Sequence, residues 1–290
     1  MNTPPHVLVA LITAFDTGGE LALDDHAHNV AHLMERGVRG FLIGGSTGEG
    51  PYLEQGERTL LVSRAREVAG PEAYVVGATA AQSTRLARSQ TFEVAAGGAD
   101  AALVLTPTSL IRGNHAAVHQ FFVEVADASP IPILMYSVPR VTGYELPVAV
   151  IAALAGHPNV IGLKDSGGRP YRMQEVARSV DPSFFQFAGA SAAIASSIAG
   201  GGYGSITAST NYLPEQIDEL VGMARRGDRE LDSRQNAVSA ITKVVEAHGV
   251  VGTKAAAVVS GLRSDRVRQP LMPLDQAAFE EIRRVVPRPA

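Results

Sequence analysis

The chain has 290 residues, 46% hydrophobic and 19% charged, with no cysteine and a formal net charge of −4. This is the composition of a folded globular protein, and the lack of cysteine excludes disulfides, thiolate catalysis and cysteine–metal sites. No basic block and no bilayer-length apolar run is present, which argues against nucleic acid or membrane as a partner. Residues 1–6 do not begin an export signal, so a cytoplasmic location is expected.

Short apolar runs recur along the chain, each closing on small or polar residues and most followed by helical periodicity. Val7–Phe15 comes first, then an amphipathic helix over Asp24–Arg36 with Ala27, Val30, Ala31 and Met34 on one face and Asp24 as its N-cap. Gly40–Ser46 precedes a helix at Glu57–Ala69, Tyr74–Ala80 one at Ser83–Ala96, and Ala101–Pro107 one at Asn114–Ala128. Ile131–Pro139 leads into Leu146–Ala155, and Val160–Ser166 into Tyr171–Ser179; Phe185–Ser191 and Gly204–Ala208 complete eight strands.

Continuously apolar strands alternating with helices predict a parallel sheet covered by helices. Eight units fit an α/β fold of the (β/α)8 TIM-barrel type, whose usual size is roughly 250 residues. The competing doubly wound sheet often carries an early glycine-rich nucleotide turn, which is not seen here. Beyond Tyr212-Leu213-Pro214 the strand pattern stops, and Glu215–Gly261 reads as helix broken at Gly227 and Gly249. The expected organisation is a catalytic barrel over residues 1–222 with a C-terminal helical region, 223–290, packed on it.

In a parallel barrel the active site gathers at the C-terminal strand ends. Lysine is scarce: of 25 Lys plus Arg, only Lys164, Lys243 and Lys254 are lysines. Lys164 lies inside the apolar run Val160–Ser166, where burial lowers an amine's pKa and makes it nucleophilic, which arginine cannot match. Alternation points Lys164 inward and Leu163 and Asp165 toward the helices. Tyr136 closes the fifth strand and is a competent acid/base group there. The second strand ends in Gly44-Gly45-Ser46-Thr47-Gly48-Glu49-Gly50, a turn able to offer N–H groups and two hydroxyls to a carboxylate. A 2-oxo acid would place its carboxylate on Ser46 and Thr47 and its ketone on Lys164, with Tyr136 moving protons.

These motifs together resemble the dihydrodipicolinate synthase / N-acetylneuraminate lyase superfamily of class I pyruvate aldolases. The matching residues are Gly45-Ser46-Thr47-Gly48-Glu49, Tyr136-Ser137-Val138-Pro139 with Thr142-Gly143, Gly162-Leu163-Lys164-Asp165, Gly189-Ala190-Ser191 and Arg268–Leu274. The resemblance implies a homotetrameric barrel with C-terminal helices. It implies that Lys164 is the Schiff-base lysine, Tyr136 the catalytic tyrosine, and Ser46 and Thr47 the carboxylate-binding and relay hydroxyls. Gly45, Gly48, Ser166, Gly189 and Ile206 would line the site, with no cofactor beyond the lysine imine and no metal.

Two departures bear on substrate. Dihydrodipicolinate synthases carry an arginine just before the Thr-Gly of the fifth strand, where this chain has Val141, which argues against 4-hydroxy-tetrahydrodipicolinate synthase activity. The family's tyrosines after the fourth strand are replaced by Thr108-Ser109-Leu110, so the proton relay would be missing, shortened through Ser109 or filled by water. The strings Ser129–Pro139 and Lys164–Gly168 most resemble the 4-hydroxy-2-oxoglutarate aldolase branch, which yields pyruvate and glyoxylate. Arg112 and Arg140 could then hold a distal carboxylate or hydroxyls. A 2-keto-3-deoxy sugar acid dehydratase and a non-catalytic 2-oxo acid binder are the alternatives. His28/His32 and His115/His119 have a metal-bridging spacing but no third ligand; the first pair is expected to be solvent-exposed, and Lys243 and Lys254 structural.

Overall fold

The computed structural model describes residues 3–169 and 171–288. Eight parallel strands, β1 (Val7–Ala10), β2 (Gly40–Ile43), β3 (Tyr74–Thr79), β4 (Ala101–Leu105), β5 (Ile133–Ser137), β6 (Val160–Asp165), β7 (Phe185–Ala188) and β8 (Gly204–Thr207), close into a barrel in chain order. Closure is made by β1 beside β8, with Leu8 opposite Ile206. Each strand is buried on both faces, which is why it reads as continuous hydrophobe. Leu8, Leu42, Leu103, Tyr136, Phe187 and Ile206 fill the barrel, while Val9, Phe41, Val104, Met135 and Leu163 pack outward against helices.

The outer layer is α1 (Leu23–Glu35), α2 (Glu57–Ala69), α3 (Thr84–Ala96), α4 (His115–Ala128), the single turn α5 (Pro139–Thr142), α6 (Val148–Ala155), α7 (Arg172–Ala177), α8 (Ile194–Ala199) and α9 (Pro214–Arg226). Ser83 and Asn114 cap α3 and α4 by accepting from Leu86 N and Ala117 N. Asp24 is not a cap: α1 starts one residue earlier, and Asp24 with Asp25 lies in its first turn, where carboxylates favour the positive end of the helix dipole.

The strands are shorter than their apolar runs. β1 ends at Ala10, and the chain then crosses the barrel mouth to Phe15, which pairs with Leu21 in an isolated bridge. Leu11, Ile12 and Phe15 stay apolar because they are buried in one cluster with strand, helix and C-terminal residues such as Phe41, Val30 and Ala257.

Three further helices follow the barrel: α10 (Leu231–Glu246), α11 (Gly249–Val259) and α12 (Gln276–Val285). Gly227 ends α9 in the left-handed conformation, a role glycine fills without strain. The 222/223 boundary falls inside α9, whose Ile217, Leu220 and Val221 share one apolar cluster with Val238, Val245 and Ile282 of the later helices. His28 and His32 are not solvent-exposed: their Nε2 atoms bond Gly261 O and Ser260 O at 3.3 and 3.1 Å, tying α1 to the end of α11. No helix among the described residues is long and apolar enough to cross a membrane.

Candidate active site

Strand register brings the central pair together. Tyr136 of β5 stands opposite Lys164 of β6, and Lys164 stands opposite Phe187 of β7. Lys164 is buried, with its Nζ 4.7 Å from the Tyr136 ring centroid. Burial pushes this amine below the ordinary lysine range, and the facing Tyr136 phenol offsets only part of that. Asp165 points the other way, into a buried ion pair with Arg172 Nε of α7 at 3.1 Å, and accepts from Gly167 N at 2.8 Å. The neighbouring carboxylate is thereby committed elsewhere, as strand alternation requires.

Gly189, just past β7, makes room for the amine. A Cβ there would lie 2.1 Å from Ser166 Oγ and 3.1 Å from Lys164 Cε, so any larger residue would have to displace Ser166 and crowd the lysine. Gly189 N donates to Asp165 O at 2.7 Å and Ser166 N to Ser137 O at 2.9 Å, which stitches the ends of β5, β6 and β7 together. Ile206 is fully buried in the barrel interior with Tyr136 and Phe187.

The turn after β2 forms the opposite wall. Gly44 takes a positive φ of 68°, and Gly50 N closes the loop onto Gly45 O at 2.9 Å. Among the described residues, the Ser46 and Thr47 N–H groups donate to no backbone acceptor, so they are available to an anion. Gly45, Ser46 and Tyr136 line one small cavity with Thr79 and Leu105. Gly48 packs 2.9 Å (as an added Cβ) from Leu11 O, and its own carbonyl accepts from Thr13 Oγ1 at 2.6 Å, which anchors the turn to the chain leaving β1.

The three residues expected at the mouth are less enclosed. Ser109, Arg112 and Arg140 are all exposed. Ser109 N, with Thr108 N, donates to Gln82 Oε1 at 2.9 Å, so a glutamine from the preceding strand's loop pins this segment. The Arg112 guanidinium lies over Gly143, where a Cβ would sit 2.6 Å from its Nη1. Arg140 lies close enough to Glu246 of α10 for its charge to act on that carboxyl. Burial pushes the Glu246 carboxyl above the usual range, while Ser191 Oγ, donating at 2.6 Å, and Arg140 draw it back.

The contacts of Gln82 with Ser109, of Glu246 with Ser191 and of Lys254 with Glu49 were not anticipated from the sequence. Each forms only through the fold; the one available signal was the rarity of lysine, which marks Lys254 as it marks Lys164. Among the described residues, no group of three or more His, Cys, Asp and Glu could hold a metal ion.

A closed parallel barrel with a buried lysine beside a tyrosine at its mouth is the framework of the class I lyases, enzymes that work through a lysine imine. The sequence model of the dihydrodipicolinate synthetase family matches residues 3–288, and the chain belongs to that family of metal-independent class I lyases and aldolases. It is 32% identical to the 4-hydroxy-tetrahydrodipicolinate synthase of Xanthomonas axonopodis pv. citri over 278 residues, 93% of this chain and 90% of that one. It is also 32% identical to a probable mitochondrial 4-hydroxy-2-oxoglutarate aldolase of Emericella nidulans over 244 residues, 81% of this chain and 78% of that one. Among solved structures, the pyruvate complex of dihydrodipicolinate synthase from Acinetobacter baumannii superposes with a TM-score of 0.92 at 25% identity, covering 98% of each chain. YagE, a prophage protein of the same family from E. coli K12, also solved with pyruvate, gives 0.90 at 25% identity over 96% of each chain.

Proposed function

We propose that this protein is a cytoplasmic, homotetrameric aldolase that cleaves a 4-hydroxylated 2-oxo acid of the 4-hydroxy-2-oxoglutarate type, needing no cofactor beyond its own lysine. The observation that carries the reading is the Lys164–Tyr136 pair: a buried amine, lowered by desolvation, whose near neighbour is a phenol. Relatives solved with pyruvate support a 2-oxo acid as the ligand. The exposed apolar side chains Leu60, Leu86 and Phe92 on α2 and α3 support self-association.

In this mechanism the substrate carboxylate rests on the Ser46 and Thr47 N–H groups, with Gly45 and Gly48 keeping the turn close and Gly189, Ser166 and Ile206 walling the imine. The Lys164 amine attacks the ketone carbon, water leaves, and an iminium forms. Tyr136, in relay with Thr47, accepts the proton of the C4 hydroxyl. The C3–C4 bond then breaks, its electron pair moves to the iminium nitrogen as an enamine, and an aldehyde departs. Protonation at C3 and hydrolysis release pyruvate and regenerate Lys164. Ser109, Arg112 and Arg140 would meet the distal end of the substrate.

A second reading, condensation of pyruvate with an amino-aldehyde, draws on the relatives carrying the synthase name. Against it, Val141 holds the position of the expected arginine and turns its side chain to solvent, 66% exposed. The test is pyruvate release across a panel of 4-hydroxylated 2-oxo acids, with pyruvate plus aspartate semialdehyde run in parallel. Cleavage of a 4-hydroxy-2-oxo diacid is expected. No release from any member, with condensation or water elimination instead, would overturn the reading.

A further inference from the structure

The mechanism above uses one buried lysine and leaves another without a task. Lys254 of α11 is completely buried, and its Nζ meets the equally buried Glu49 carboxylate at Oε1. Glu49 is two residues beyond Thr47 and is one of two non-glycine residues among those described with a positive φ, at 56°. A bulky side chain rarely holds that conformation unless its surroundings impose it. Here the carboxylate is held at both oxygens: Lys254 takes Oε1, and Arg268 N donates to Oε2 at 2.9 Å.

The group that holds it is itself braced. Lys254 Nζ donates to Arg266 O, and the Phe15 ring meets two cations, 4.7 Å from Lys254 Nζ and 4.5 Å from Arg268 Cζ. Arg268 fixes itself by a bidentate pair to Glu57 at 2.5 Å and by donating to Gly19 O at 2.7 Å and Tyr52 O at 2.9 Å. The loop after β1, the loop after β2 and the C-terminal segment therefore converge on one carboxylate. A buried pair is a poor device for stability alone, because desolvation consumes most of the Coulombic gain. Geometric definition of a loop is a use that fits its position.

We propose that Lys254 is a positioning residue which, through Glu49, holds the Gly44–Gly50 turn in the conformation that presents the Ser46 and Thr47 N–H groups to the substrate carboxylate. The inference rests on the 2-oxo acid reading of that turn. It makes the C-terminal helices a working part of the site. Contacts to a carboxylate that does not react are alike in ground and transition states, so loosening them raises KM, while the accompanying displacement of Thr47 from the proton relay lowers kcat. A merely destabilised protein would show fewer active molecules with an unchanged KM.

Two variants make the test. Glu49→Gln with Lys254→Met together removes both charges without stranding either. Glu49→Asp keeps the charge and tolerates the left-handed conformation, but is one methylene too short to reach both donors. Each is measured for pyruvate release from a 4-hydroxy-2-oxo acid and for amide hydrogen exchange across residues 44–50. The expected result is a KM raised about tenfold, a loss of about 1.4 kcal/mol of binding, with a lower kcat from the displaced Thr47 and faster exchange confined to the turn. Unchanged KM in folded variants, or unchanged exchange at 44–50, overturns the inference. Faster exchange in a protein whose parent forms no imine with pyruvate would instead refute the 2-oxo acid reading and leave the strut in place.

Discussion

Lys164 on barrel strand β6 and Lys254 on helix α11 are both withdrawn from solvent, and burial lowers both amines. They differ in what meets them. Lys164 faces a phenol across adjacent strands, with the nearest carboxylate, Asp165, turned away and paired to Arg172. Lys254 meets the Glu49 carboxylate directly, and that negative charge is the main influence opposing its burial. The same side chain in the same dry surroundings becomes a reagent in one place and a post in the other, because a counterion holds the proton on the amine and a phenol does so only weakly.

The comparison breaks most sharply at Lys164. Lys164→Arg should lower turnover on the order of 10⁴-fold or more while leaving the protein folded, since a guanidinium keeps the charge and cannot form an imine. Steady-state pyruvate release from the purified variant checks this, and retained turnover would contradict the assignment. Tyr136→Phe should cost about 10²–10⁴-fold in kcat, the ordinary worth of a positioned acid/base group. The phenol raises the Lys164 amine, so its removal should also move the acid limb of imine formation to lower pH. A limb that moves upward would show that the phenol does not face the amine in solution.

Stability should separate the two lysines in opposite directions. Lys254→Met strands a buried carboxylate and should destabilise by about 3–5 kcal/mol, whereas Lys164→Met removes an amine that lacks a counterion and should be neutral or stabilising. Urea unfolding of both variants at one pH decides it; equal losses would mean the two environments are alike. His26 adds a third buried base, held by neither phenol nor carboxylate but by Leu61 O at 3.2 Å. Burial lowers it to about 4, below its unfolded value of 6.5, so its neutral form contributes stability that is present above pH 6.5 and lost as pH falls toward 4. The loss should total about 3 kcal/mol, and His26→Gln should flatten that part of the stability profile. A profile unchanged by the substitution would place the acid sensitivity elsewhere.

Much of the barrel was legible because each strand is a continuous apolar run and each intervening helix has its own period. Lys164 was legible for the same reason: a lysine inside such a run stands out, and alternation along the strand sends it inward. Lys254 was not. Its helix, Gly249–Val259, is apolar nearly all round, so periodicity gives no hint of the face that meets Glu49. Asp24 misled because a carboxylate in the first helical turn resembles a cap in sequence, and only the backbone distinguishes them. The strand ends were overrun because the residues beyond them, such as Leu11 and Ile12, remain buried in the apolar cluster that packs around the barrel, so hydrophobicity does not mark where the strand stops. Arg112 and Arg140 show the limit for surface groups: their place at the mouth follows from the strand ends, while the group each faces depends on the packing of distant elements.

The most direct test of the contrast between the lysines is reduction with borohydride in the presence of pyruvate, followed by peptide mass mapping of the whole chain. The account predicts a reduced pyruvate adduct on the peptide containing Lys164 and none on those containing Lys254 or Lys243. An unmodified Lys164, or an adduct on Lys254, would contradict it.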